Sequence, residues 1–285
     1  MADPQRVIAL FGTGLVPPET PILRGDDLGV VRGDGIFETL HVRQGRAWLL
    51  EEHLARMARS AARMELTLPS VTELTELVAT ALRAWPAQAE GALRLVCTRG
   101  PESGSSVTLF ATVFAVPVGN VLARRDGVRV VTATLGFPAQ LRPATPWLLG
   151  GAKTLSYAVN MASLRWAKSV GADDVLWVSS DGYALEAPTA TLVWLDGSTL
   201  RTVPAEATGV LAGTTAAHLL ARAGELGLDA GEGLITPAGL AATAGAWLTS
   251  SVRGVAAIRT LDGATLPYDP ELTERIRTLL GFRLP

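Results

Sequence analysis

The sequence predicts a mixed α/β chain in two parts. Strand-like runs and helical periodicities follow one another along its whole length. Its 285 residues are too many for one small module and suit two compact domains or one large one. Residues 119–126 are expected to be a linker between an N-terminal domain, residues 1–118, and a C-terminal domain, residues 127–285.

The first part opens with short strands broken by glycine turns: Val7 to Phe11, Gly29 to Val31, Ile36 to Val42 and Ala47 to Leu50. Gly33-Asp34-Gly35 and Gln44-Gly45 are the breakers, so an antiparallel meander is expected. Leu54, Met57, Ala58, Ala61 and Met64 recur at helical spacing while Arg56, Arg59 and Arg63 take another face, which predicts a helix from Glu51 to Glu65. A second helix runs from Val71, with Ser70 or Thr72 as cap, to Ala84. Strands Ala92 to Thr98 and Val107 to Val116 flank a loop around Gly100-Pro101-Glu102-Ser103-Gly104.

The second part begins with a strand, Val128 to Thr134, and a proline-rich stretch around Pro138, Pro143 and Pro146. Lys153 follows Gly150-Gly151-Ala152 and directly precedes an amphipathic helix carrying Leu155, Val159, Ala162 and Trp166. Val175 to Ser179 and Tyr183 to Glu186 turn at Asp181-Gly182, a strong hairpin signal. Ala190 to Leu195 and Thr199 to Val203 turn at Asp196-Gly197. A helix from Thr214 to Leu226, strands Ala246 to Ser250 and Ala256 to Leu261, and a closing helix from Pro270 to Leu280 complete the chain.

Composition narrows the function. Apolar residues at 48% and charged residues at 18% supply sizeable cores and exclude a disordered chain. With 25 basic against 27 acidic residues there is no basic excess for a phosphate backbone, so nucleic acid is not an expected partner. The single cysteine, Cys97, forms no internal disulfide. The start, Met-Ala-Asp-Pro-Gln-Arg, lacks the charged and apolar regions of a signal peptide, so a cytoplasmic protein is expected. Apolar runs such as 113–118 are far shorter than the ~20 residues of a membrane span, so no membrane is expected either.

The motif search removes several chemistries. Neither lysine follows the glycine spacing of a phosphate-cradling loop, and Gly12-Thr13-Gly14 and Gly33-Asp34-Gly35 lack the third glycine of a dinucleotide fingerprint. Histidines 41, 53 and 218 are scattered and give no zinc spacing, so no metal is expected. No Gly-x-Ser-x-Gly elbow occurs. Of the 25 basic residues 23 are arginine, so any imine-forming amine must be Lys153 or Lys168.

The residues left over make chemical sense together with pyridoxal 5'-phosphate, whose aldehyde needs a lysine, whose ring nitrogen needs a carboxylate, and whose phosphate needs an arginine with hydroxyl and amide donors. Lys153, Glu186 and Arg56 can supply the first three, and Thr214 and Thr215 lie at a helix start that favours an anion. Each also has a plainer reading. A lysine after glycines is commonly a solvated surface residue, Glu186 can simply end a strand, Arg56 is one of three arginines on a helix, and Thr214 can be an ordinary cap.

Four stretches carry a resemblance: Arg32-Gly33-Asp34-Gly35-Ile36-Phe37-Glu38-Thr39, Glu52-His53-Leu54-Ala55-Arg56-Met57, Lys153-Thr154-Leu155-Ser156-Tyr157 and Asp181-Gly182-Tyr183-Ala184-Leu185-Glu186. In order and spacing they resemble the class IV aminotransferases, the fold-type IV pyridoxal-phosphate group of branched-chain aminotransferases, D-amino acid aminotransferases and aminodeoxychorismate lyases. The match covers nearly the whole chain. It implies a two-domain fold, a smaller N-terminal α/β domain and a larger, β-rich C-terminal pseudo-barrel domain with helices, with the site between them and a homodimer completing it.

By the same resemblance Lys153 is the catalytic Schiff-base lysine, Glu186 the partner of the pyridine nitrogen and Arg56 the phosphate-binding arginine of a His-x-x-Arg segment. Gly213-Thr214-Thr215 and Thr249-Ser250-Ser251 look like the two phosphate-binding segments, and Tyr157 stands where an aromatic residue often flanks the cofactor, although a core role suits it equally. Thr39, Arg94 and Val252 are the substrate-side candidates; Arg94 can also point outward from its alternating strand. Thr191 stands where the family often has asparagine. The Arg-x-His element of D-amino acid aminotransferases has no counterpart in 100–107, which points away from that branch. Detail around 32–35, 153–161 and 247–251 is most similar to the lyases. The activity implied is elimination from 4-amino-4-deoxychorismate, a small-molecule substrate, to 4-aminobenzoate and pyruvate, with a branched-chain or D-amino acid aminotransferase as the alternative.

Overall fold

A computed structural model describes residues 6–104 and 106–282; the start of the N-terminal stretch read for a leader, residues 1–5, lies outside the described residues. The described residues divide into two compact units, one of residues up to 117 together with 152–157, the other of residues 118–151 together with those from 158 on.

The first unit contains β1 (Val7–Leu10), β2 (Gly14–Val16), α1 (Leu28–Val31), β3 (Gly35–Arg43), β4 (Arg46–Ala47), α2 (Leu50–Arg63), α3 (Val71–Arg83), β5 (Gly91–Thr98) and β6 (Thr108–Ala115). Its strands form one antiparallel sheet in the order β2-β1-β6-β5-β3-β4. Alternation decides which face is covered. Ile36, Leu40 and Val42 of β3, Leu93, Leu95 and Cys97 of β5 and Leu109, Ala111 and Val113 of β6 share a core with Leu54, Met57 and Ala61 of α2 and Leu74, Leu77, Val78 and Ala81 of α3. Ser70 and Glu73 form a reciprocal cap at the start of α3. Phe37 and Thr39 carry the opposite phase of β3.

The second unit contains α4 (Val118–Asp126), β7 (Val128–Thr134), α5 (Ala158–Ser169), β8 (Asp174–Val178), β9 (Glu186–Ala187), β10 (Ala190–Asp196), β11 (Thr199–Thr202), α6 (Ala205–Thr208), α7 (Thr214–Ala221), β12 (Asp229–Glu232), α8 (Pro237–Ala241), β13 (Gly245–Ser250), β14 (Gly254–Leu261), β15 (Ala264–Thr265) and α9 (Pro270–Leu280). The sheet runs β12-β11-β10-β13-β14-β7-β8, with β9 beside β10 and β15 beside β14. Ala184 bridges Val178 at the end of β8 and Ile235 just past β12, so the two ends of the path are drawn together and the sheet curls on itself. Leu176, Leu185, Leu192, Trp194, Leu248, Ala256 and Ile258 fill its interior.

The structure departs from the sequence reading in instructive places. Residues 28–31 form a helical turn and no strand, because the Asp27 carboxylate caps it by accepting from Gly29 N–H at 2.8 Å. Ala47 ends β4 and Leu50 already begins α2. Residues 118–126, read in large part as a linker, form α4, whose Arg124 is buried. The segment around Leu155 is extended, and α5 starts only at Ala158; there the small Ser163 and Ala167 face inward, while Val159 and Trp166 are exposed. The helix from Thr214 ends at Ala221 and passes into a 3-10 turn at 223–226.

Candidate active site

In the first unit β3 leaves an open edge, because β4 pairs only with Val42 and Arg43. The segment bearing Lys153 occupies it. Phe37 N–H donates to Lys153 O at 3.0 Å, Leu155 N–H donates to Gly35 O at 2.8 Å, and Lys153 N–H donates to the buried Ser60 Oγ of α2 at 3.0 Å. Gly35 admits this approach: a Cβ there would meet Leu155 Cδ1 and Cys97 O, each at 2.7 Å. The half-buried Lys153 therefore has both its backbone N–H and its C=O bonded, and the strand pairing continues at Leu155. Its Nζ donates to Tyr157 Oη at 3.1 Å and lies 4.4 Å from the Phe37 ring centroid. Phe37 and Tyr157 meet edge to face, 5.0 Å apart. On the same sheet face Thr39 pairs with Arg94 across the strands, and the Arg94 guanidinium lies over Phe37 and Phe114.

Arg56 is buried, not solvated with Arg59 and Arg63. Its Nε and Nη2 donate to the two oxygens of Glu38 at 2.8 and 2.6 Å, and His53 Nδ1 lies 2.7 Å from Glu38 Oε2. Glu38 is wholly buried, and burial alone would raise its pKa. The Arg56 charge, the two Arg56 hydrogen bonds and the His53 bond outweigh that and hold it at about 2. Burial pushes the His53 imidazole down, against the pull of Glu38 and with the push of the Arg56 and Lys153 charges. A neutral His53 beside an accept-only carboxylate must carry its proton on Nδ1.

In the second unit Glu186 ends up half-buried on β9, with Oε1 accepting from Arg142 Nη2 at 3.2 Å and Oε2 from Leu211 N–H at 3.0 Å. Two residues on, Gly213 caps α7 with no side-chain bond to its first turn. Thr214 Oγ1 and Ser251 Oγ lie 3.4 Å apart, and Thr215 Oγ1 is buried with no hydrogen-bond partner among the described residues. Ser250 ends β13, and Ser251 and Val252 are buried in the turn to β14. Arg124 of α4 holds that turn by donating to Val252 O at 2.8 Å and Arg253 O at 3.0 Å. Thr191 packs against Gly213, where a Cβ would collide with its hydroxyl.

The arrangement thus brings Lys153, Tyr157, Thr39 and Arg94 to one face of the first unit and sets Arg56 on α2, four residues before the Ser60 that holds Lys153. The second unit gathers Thr214, Thr215, Ser250, Ser251 and Val252, with Glu186 tied through Leu211 to the segment before α7. Sequence reasoning missed Glu38, His53, Phe37 and Arg142. Glu38 left a signal, a carboxylate in the inward phase of an apolar strand, and His53 shares a helix face with Arg56; Arg142, in irregular backbone, left none.

Comparison with known proteins adds the family. The class IV amino-transferase family matches residues 35–261, most of the chain. The chain belongs to the class IV aminotransferases. It is 44% identical, over 93% of its length and 94% of the relative's, to a bifunctional aminodeoxychorismate lyase / D-amino acid transaminase of Mycobacterium tuberculosis. Two solved structures of a hypothetical aminotransferase from that organism are also similar. The PLP-bound form superposes with a TM-score of 0.92 at 42% identity, covering 97% of this chain and 98% of that one. The form with α-ketoglutarate and PMP gives 0.93 at 43%, covering 96% and 97%. The two-unit mixed α/β fold of this class IV aminotransferase is the one that these structures share. Among the described residues, no helix is long and apolar enough to cross a membrane and no three or more His, Cys, Asp or Glu side chains group to hold a metal ion.

Proposed function

We propose that the chain is a pyridoxal 5'-phosphate enzyme that eliminates pyruvate from 4-amino-4-deoxychorismate to leave 4-aminobenzoate, a folate precursor. The observation that carries the reading is Lys153: one of two lysines in the chain, with its backbone N–H and C=O both bonded and an amine held between a phenol and an aromatic ring. The donor set fits the cofactor. The unpartnered, buried Thr215 hydroxyl and the side-chain-uncapped start of α7 suit a phosphate, and Glu186 presents a carboxylate oriented by two donors.

Bound pyridoxal phosphate supplies an aldehyde carbon that takes an amine and a ring that accepts the electron pair left when a neighbouring C–H breaks. Lys153 is the amine that would hold the aldehyde. Its freed Nζ then takes the C4 proton of the substrate and returns one to the departing enolpyruvyl group, with Tyr157 Oη as its hydrogen-bond partner between the two transfers. Glu186 would keep a proton on the ring nitrogen. Thr214, Thr215, Ser250, Ser251 and Arg56 are the residues that would hold the phosphate, with Glu38 and His53 bonded to the arginine. Thr39, Arg94 and Val252 face the substrate.

A second reading, D-amino acid transamination, is favoured by the bifunctional relative and by the neighbour holding α-ketoglutarate and PMP. It needs the same groups, and the missing Arg-x-His element does not decide against it. The chain is further taken as a cytoplasmic homodimer. Exposed Trp147, Val159 and Trp166 and the buried, unpaired Cys97 support this, and light scattering tests the dimer.

The deciding experiment supplies protein and pyridoxal phosphate with 4-amino-4-deoxychorismate and quantifies 4-aminobenzoate and pyruvate beside Lys153→Ala. Equal release of both, absent in the variant, is expected. Cofactor uptake without 4-aminobenzoate would overturn the lyase reading, and amination of a 2-oxo acid by a D-amino acid would then establish the second.

A further inference from the structure

We propose that Arg142 is a positioning residue for Glu186, fixing the carboxylate that meets the cofactor's ring nitrogen; this rests on the role of Glu186 given above. The Arg142 Nη2 bond at 3.2 Å and the Leu211 N–H bond at 3.0 Å engage one oxygen each, so the plane of the carboxylate is set. Each oxygen keeps a second lone pair for a further donor. The two side chains are 14% and 16% exposed, too dry for water to replace the guanidinium at full value.

The backbone is shaped around this arginine. Its stem passes between two glycines: a Cβ on Gly150 would lie 2.8 Å from Arg142 Cβ, and one on Gly209 2.7 Å. Gly209 has a φ of +67°, and its carbonyl accepts from Gly151 N–H at 2.8 Å, closing the slot. The guanidinium lies over the Phe137 ring, 5.5 Å from its centroid. A surface ion pair needs no such channel.

The alternative is a purely structural tie between the irregular 137–150 segment and β9. The test compares wild type, Arg142→Met and Arg142→Lys in three readouts: the dissociation constant for pyridoxal 5'-phosphate, the visible spectrum of the bound cofactor, and melting of the cofactor-free protein. Losing one charge-assisted bond is expected to raise the dissociation constant about 10-fold and to shift the spectrum in the Met variant, with Lys recovering at least half of both. A Met variant with lowered melting but wild-type affinity and spectrum overturns the proposal. Should the Met variant not fold, Arg142→Gln carries the same expectation, and wild-type values in it overturn the proposal equally. A wild type that takes up no cofactor refutes the reading of Glu186 itself, and the proposal with it.

Discussion

Replacing Glu38 by Gln keeps the side chain's shape and removes its charge, which isolates what the buried carboxylate does for Arg56. Its fall from the ordinary 4.5 to about 2 corresponds to about 3 kcal/mol of folding stability at neutral pH. Breaking a buried ion pair on one side costs about 3–5 kcal/mol, so the two routes agree. The amide cannot accept on both arms: one must turn an N–H toward Arg56 or toward the Nδ1–H of His53. Because the folded value is depressed, the contribution is complete above pH 4.5 and is lost as the pH falls toward 2. Urea unfolding followed by circular dichroism should show a deficit of about 3 kcal/mol at pH 7 that shrinks to less than half by pH 3. Glu38→Leu combined with Arg56→Met should recover most of it, since no buried charge is then stranded. Equal stability of Glu38→Gln and wild type at pH 7, or a deficit unchanged on acidification, would refute the reasoning.

Three other substitutions probe the remaining parts. Thr215→Val removes the unpartnered buried hydroxyl, so the cofactor-free protein should gain about 1 kcal/mol while cofactor affinity drops about 10-fold; melting and titration read the two signs. Gly213→Ala drives a methyl into the Thr191 hydroxyl and displaces the start of α7, which should weaken cofactor binding at least ~10-fold, and adding Thr191→Ala should restore part of it. Lys153→Ala should release no 4-aminobenzoate above background while keeping a wild-type circular dichroism spectrum, because only the side chain of a backbone-anchored residue changes.

How much of this was legible in the sequence depended on whether the signal was local. Helix α9 was readable from its proline start and apolar spacing, and β3, β10 and β13 as short apolar runs, β3 and β10 beside turn residues, since each pattern is set by neighbours a few residues away. Residues 28–31 failed because their cap, Asp27, is itself held by Thr98 and Thr108, more than 70 residues on. The apolar stripe on α5 misled because side-chain size, not polarity, decides what fits between that helix and the sheet: Ser163 and Ala167 are small enough, and Trp166 is not.

The same divide runs through the candidate site. Lys153, Glu186 and the Thr214-Thr215 pair were singled out because they stand in short runs of recognisable order. What fixes them was not found, because the partners come from elsewhere in the chain: Ser60 for Lys153, 93 residues away, Arg142 for Glu186, 44 away, and Arg124 for the turn at Val252, 128 away. Glu38 is the exception that shows how the search could be extended. A carboxylate in the inward phase of an apolar strand costs several kcal/mol unless a cation meets it. The sequence holds an arginine on the next long helix at the spacing that places it over the strand, and so the pair could have been inferred from the cost of leaving either residue alone.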